Sequence, residues 1–132
     1  MSAQNKIDYW IATAEYDLRT AESMLAAKHF LWVGFICHLV IEKMLKAQFT
    51  KVFNKIPPYT HNLLYLAEQS GIISQLAVSQ KDFLDDLQQY NVRSRYPSDK
   101  DSLYKLLDFN KSKEILTKTK EMAEWVKNNL YS

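Results

Sequence analysis

FLWVGFICHLVIEKMLKAQFTKVFN, residues 30–54, decides the fold. Phe30, Leu31, Trp32, Phe35, Leu39, Val40, Ile41, Leu45, Phe49 and Phe53 put apolar side chains on nearly every side of an α-helix. A helix apolar all round is buried on several sides, or buried on one and used for association on another. The stretch therefore reads as the central helix of a bundle. Its most apolar part, around residues 30–41, is broken by Gly34 and His38 and is too short to span a bilayer. One polar line crosses it. His38, Glu42 and Lys46 are each four apart and so share a face.

Upstream, about residues 4–28, Ile7, Trp10, Ile11, Ala14, Leu18, Ala21 and Leu25 recur in steps of three and four, one stripe of a second helix. Glu15 and Arg19 are spaced for an i,i+4 pair. Asp17 lies on the shoulder of the stripe, and Tyr9 and Tyr16 point to the opposite face. Downstream, Ile56-Pro57-Pro58-Tyr59 ends the central helix, since proline restricts its predecessor and lacks an amide donor. Thr60 is placed to cap a short helix over 61–70, closed by Ser70-Gly71. A further helix over 79–94 carries Phe83, Leu84, Leu87 and Tyr90 on one side, with Asp82 in its first turn. Pro97 stops it, and Ser98 can cap a short helical turn through Leu106 and Leu107. The last helix, 111–130, turns Ile115, Thr119, Met122, Ala123, Val126 and Leu130 inward.

No segment alternates with period two, and two glycines and three prolines offer few sharp turns for a sandwich or barrel. The expected fold is all-α: an up-and-down antiparallel bundle of about five helices, a four-helix core plus a short one, in a single domain over residues 1–132. Cys37 sits among Phe35, Ile36, Leu39 and Val40 and reads as a core residue, not a nucleophile. With one cysteine and no basic-then-apolar leader, a cytoplasmic setting and no membrane association are expected.

The net charge of +2 is unevenly spread. Lys43, Lys46, Lys51 and Lys55 fall in a stretch without acids. Between Arg93 and Lys120 eight basic residues outnumber Asp99, Asp101, Asp108 and Glu114. If the two segments meet they attract phosphate; if not, they are solubilising lysines on exposed faces.

Glycine-rich phosphate loops, paired-cysteine metal motifs and helical His-x-x-x-His motifs are absent, so no metal or cofactor is expected. What stands out is polarity where a plain bundle wants apolar residues: Asp17, Glu42, and Asn91 through Arg95. A buried carboxylate needs a cation or donor, and Arg93, Arg95 and Lys46 are the available ones. One reading is an internal salt-bridge network that fixes helix register. The other is a supporting shell that orients an arginine toward phosphate. His61 is explained by its place at a helix start, and His29 by an interhelical loop. His38, one turn from Glu42, is either a titrating base or a satisfied core histidine.

Taken in order, these segments resemble the HEPN superfamily (higher eukaryotes and prokaryotes nucleotide-binding). The resemblance rests on the first helix from Trp10 through Asp17-Leu18 to Ala21 and Leu25, and on Ile41-Glu42-Lys43-Met44-Leu45-Lys46-Ala47. It continues in Pro58-Tyr59-Thr60-His61-Asn62-Leu63 and Asn91-Val92-Arg93-Ser94-Arg95-Tyr96-Pro97. It covers roughly residues 8–126, and the order of the four stretches matters more than any one of them.

The resemblance implies a five-helix bundle that commonly dimerises, often beside a minimal nucleotidyltransferase in a toxin–antitoxin pair. Many relatives are metal-independent ribonucleases in which an arginine steadies phosphate and a histidine, after four to six intervening residues, acts in acid–base chemistry. Arg93 matches that arginine. The window after Arg93 or Arg95 holds Ser98, Asp99, Lys100, Asp101 and Ser102, with no histidine. The expected function is thus a non-catalytic nucleotide- or RNA-binding homodimer, partner to a minimal nucleotidyltransferase. Asn91, Arg93, Arg95 and Tyr96 form its contact surface, and Asp17, His38, Glu42 and Lys46 its support. The alternatives are an endoribonuclease with a non-standard acid–base group, drawn from His38 or His61, and a purely structural dimerisation module using the second helix and Tyr9/Tyr16.

Overall fold

The structure, a computed structural model, describes residues 2–132, and Pro97 by its backbone only. Six α-helices follow one another: α1 Ala3–Ala26, α2 Phe30–Phe53, α3 Leu63–Ser70, α4 Val78–Arg93, α5 Pro97–Leu106 and α6 Phe109–Leu130. A 3-10 turn, Ile72–Gln75, joins α3 to α4. The described residues contain no strand. Four helices are long, α1, α2, α4 and α6, and two are short.

Local chemistry sets most of the ends. Ser2 Oγ accepts the Asn5 amide at 3.1 Å and opens α1, and Asp108 accepts the Lys111 amide at 2.8 Å and opens α6. At α3 the capping residue is Asn62, not Thr60: its Oδ1 accepts the Tyr65 amide at 3.0 Å. Thr60 Oγ1 instead accepts the Asn62 amide at 3.1 Å and shapes the turn before the helix. Gly71, at φ 81°, closes α3 in the left-handed conformation that glycine adopts without a Cβ clash. Gln80 Oε1 accepts the Ala77 amide at 2.8 Å, so α4 starts at Val78 and Asp82 falls beyond its first turn. Pro97 is the first residue of α5, where its missing amide costs no hydrogen bond. The short helical stretch expected from Ser98 through Leu106 and Leu107 is thus present, with Tyr96 and not Ser98 before its first residue.

Cross-helix pairs give the directions. Asp17 bonds Lys43, and Trp10 lies 5.7 Å beneath the Lys46 ammonium, so α1 and α2 run antiparallel. Phe30 meets Phe109 and Lys51 meets Leu130, so α6 runs parallel to α2. Glu22–Lys120 and Glu15–Lys127 then set α1 antiparallel to α6. Glu15 pairs across to α6 and not with Arg19, which lies against Tyr16. Central α2 touches all five other helices, and Ile41, Met44 and Leu45 are among its largest fully buried side chains. At Gly34 a Cβ would lie 3.2 Å from Tyr90 Cβ, so glycine permits the close approach of α4. Among the described residues no helix is long and apolar enough to cross a membrane.

Candidate functional site

The inward stripe of α4, Phe83, Leu84, Leu87 and Tyr90, continues into Asn91 and Ser94, both buried. Asn91 is 2% exposed. Its Oδ1 accepts a hydrogen bond from Arg95 Nη2 at 3.1 Å, while its Nδ2 has no partner. A buried amide donor left unpaired is costly, and such groups are rare in folded proteins. The Arg95 guanidinium lies 5.7 Å from the centre of the Phe35 ring on α2. Phe35 packs edge-on against Trp32 at 5.4 Å, and the Lys100 ammonium from α5 stands 5.5 Å over Trp32.

Tyr96 begins the corner between α4 and α5 and is exposed. Arg93 is half-buried in the last turn of α4. Neither Arg93 nor Arg95 pairs with a carboxylate among the described residues. The structure therefore joins Asn91 to Arg95 directly and adds Phe35, Trp32 and Lys100, which sequence reasoning had left out. A signal was present: a tryptophan and a phenylalanine three apart on one face of an otherwise interior helix.

The half-buried Asp17 and the buried Glu42 find partners other than the arginines. Asp17 bonds Lys43. Glu42 accepts from Lys46 at 3.1 Å and from His61 Nδ1 at 2.7 Å. Of the three partners expected, Lys46 does reach Glu42, while Arg93 and Arg95 pair with neither carboxylate: Arg93 ends α4, and Arg95 lies against Phe35 near the start of α2. Glu42 lies farther along α2 and faces the segment that leads into α3. No hydrogen bond or ion pair joins Asp17, His38, Glu42 or Lys46 to residues 91–96.

His38 is fully buried. Its Nε2–H donates to the His61 carbonyl at 2.8 Å, which leaves Nδ1 without a partner and 3.9 Å from Glu42. Burial lowers its pKa, against the opposing pull of the Glu42 charge. His61, explained above by its local position, is in fact the ligand of Glu42. Nineteen residues separate the two, so no local pattern announces the contact.

The two basic segments do not merge. Lys43 and Lys46 are taken by Asp17 and Glu42, and Lys51 donates to the Asn129 and Leu130 carbonyls at the far end of α6. Burial pushes the Cys37 thiol up to about 12 despite a hydrogen bond with Thr119, as suits a core residue.

A cleft of about 570 Å³ between α4 and α6 has Phe83, Met122 and Trp125 in its wall and Asp82, Asp86 and Glu121 along it. Three carboxylates against one lysine, Lys118, make it unfavourable to phosphate. The described residues hold no group of three side chains suited to a metal.

Arg95 and Lys100, unpaired with any carboxylate among the described residues, thus stand over the first turns of α2. Against known proteins, a family model described as HEPN domain matches residues 7–129, nearly the whole chain. No curated protein and no solved structure matches.

Proposed function

The chain belongs to the HEPN domain family, and from that premise we propose that it binds a nucleotide or RNA at the α4–α5 corner through Asn91, Arg93, Arg95 and Tyr96. The observation that carries this reading is Arg95. Its guanidinium is steered by Asn91 and rests on Phe35, yet it has no carboxylate partner. A pre-positioned, unneutralised guanidinium suits phosphate, which it can meet with two parallel hydrogen bonds.

Binding without cleavage is the function proposed. No histidine follows Arg93 or Arg95 in the next ten residues, where the acid–base group of the nuclease pattern would stand. The test is titration of a fluorescent RNA oligonucleotide with Arg93→Ala and Arg95→Ala. Each should weaken binding by about tenfold and move the melting temperature by no more than about 2 °C. Unchanged affinity in both variants would remove the proposal.

One observation favours a second reading, a metal-independent endoribonuclease. His61 is exposed, with its Nδ1 fixed by the buried Glu42 carboxylate, the arrangement of an oriented acid–base imidazole. RNA cleavage in the presence of chelator, lost in both His61→Ala and Arg93→Ala, would establish it over simple binding.

The chain acts as a homodimer beside a minimal nucleotidyltransferase, in a toxin–antitoxin-like pair. Support for self-association comes from the far end of α2, where Val52, Phe53, Ile56 and Tyr59 are all exposed. A nucleotidyltransferase gene next to this one, and co-purification of the two products, are the observations that test the pairing.

A further inference from the structure

We propose that Trp32 and Phe35 on α2 form a base-stacking platform beside this surface, with Lys100 as a phosphate contact, so that the ligand presents unpaired bases: a single-stranded nucleic acid. The inference rests on the anion-binding reading above and extends it to residues outside the α4–α5 corner.

Trp32 is 39% exposed on a helix whose interior positions are mostly buried. Its ring stands at 86° to that of Phe35, with centroids 5.4 Å apart, so the indole is braced in one orientation. Both rings already carry cations: the Lys100 ammonium at 5.5 Å from Trp32 and the Arg95 guanidinium at 5.7 Å from Phe35. The groups placed over the two rings are both cations, an ammonium and a guanidinium, and neither pairs with a carboxylate among the described residues. Cations fit an anion; aromatic faces fit a flat apolar group. A nucleotide is both, joined covalently.

A base stacking on Trp32 displaces the Lys100 ammonium from the ring face and frees it to meet the phosphate of the same nucleotide. Arg95 takes the neighbouring phosphate, and Tyr96, next in the chain and exposed, is available to a further base. In a duplex the bases are already stacked on one another and only phosphate is offered, so Trp32 would contribute nothing. Aromatic stacking tolerates any base, so the platform selects strand state and not sequence.

The test is fluorescence anisotropy with three probes: a labelled ten-nucleotide oligoadenylate, a labelled RNA duplex of equal length, and inorganic polyphosphate as competitor. Trp32→Leu should weaken oligoadenylate binding by about tenfold, Trp32→Phe should largely retain it, and polyphosphate competition should be unchanged. Arg95→Ala should weaken every probe.

Loss with Arg95→Ala but not with Trp32→Leu overturns the platform and leaves the anion site standing. No loss with Arg95→Ala overturns the anion site itself. Equal losses of oligoadenylate and polyphosphate with Trp32→Leu mark a structural effect and also overturn the platform. Should Trp32→Leu fail to fold, Trp10→Phe/Trp125→Phe leaves Trp32 as the sole tryptophan. Oligoadenylate should then quench its emission, and absence of quenching overturns the proposal.

Discussion

At His38, burial and charge pull in opposite directions. The ring is held neutral by desolvation while the Glu42 carboxylate, 3.9 Å from Nδ1, favours its protonated form. Burial is the larger effect, so the folded pKa lies below the ordinary value near 6.5. The unfolded chain therefore binds the proton first on acidification. The stabilisation is complete above about pH 6.5 and is lost as pH falls from there through the folded value. Urea unfolding at pH 7 and pH 5 should show a fall in stability that His38→Gln makes shallower.

His61→Ala leaves one Glu42 oxygen without its donor and should cost about 1 kcal/mol in the same measurement, with RNA affinity unchanged. Asn91 was legible in the sequence, because it is polar where an apolar stripe should continue. The Glu42–His61 bond was not, because it depends on how the proline-containing segment returns the chain to α2.

Between elements, the decisive contact is α2 against α4 at Gly34. A methyl group there gains about 1 kcal/mol of helix propensity but meets Tyr90 Cβ at 3.2 Å. That atom is tethered to the α4 backbone and cannot swing aside, so overpacking of about 1–3 kcal/mol should exceed the gain. Gly34→Ala is expected to lower the melting temperature and, by shifting α4 along α2, to weaken RNA binding through Arg95. A stabilised variant with unchanged affinity would show that the seam yields freely. Hydrophobic period placed α1 and α4 within two residues of their ends, because each buries one face along its length, and the all-round apolar run before Pro57-Pro58 did the same for α2. The helical segment running to Leu106 was legible as well, but not its start, because proline's fixed backbone suits a first helical position as well as a stop, and only Leu103 and Leu107 of that segment reach the core.

In the whole molecule, alternating directions emerge from short connections, which is why the up-and-down bundle could be read in advance. Whether the lysine-rich stretches would meet could not, since that depends on which end of α2 each one reaches. The exposed Val52, Phe53, Ile56 and Tyr59 stand at the end of α2 away from Trp32. If the proposed homodimer forms there, Phe53→Glu with Ile56→Glu should shift the mass measured by light scattering from dimer to monomer while RNA binding per chain persists.

The parallel seating of α6 on α2 has a kinetic consequence. α1 and α2 meet across a connection of only Ala27–His29, whereas Lys51 grips the Asn129 and Leu130 carbonyls across 78 and 79 positions. Loop-closure entropy therefore favours the hairpin as the early event and makes this clasp one of the last to close. In stopped-flow chevrons, Lys51→Ala should steepen the escape from the native state and leave the refolding limb nearly untouched.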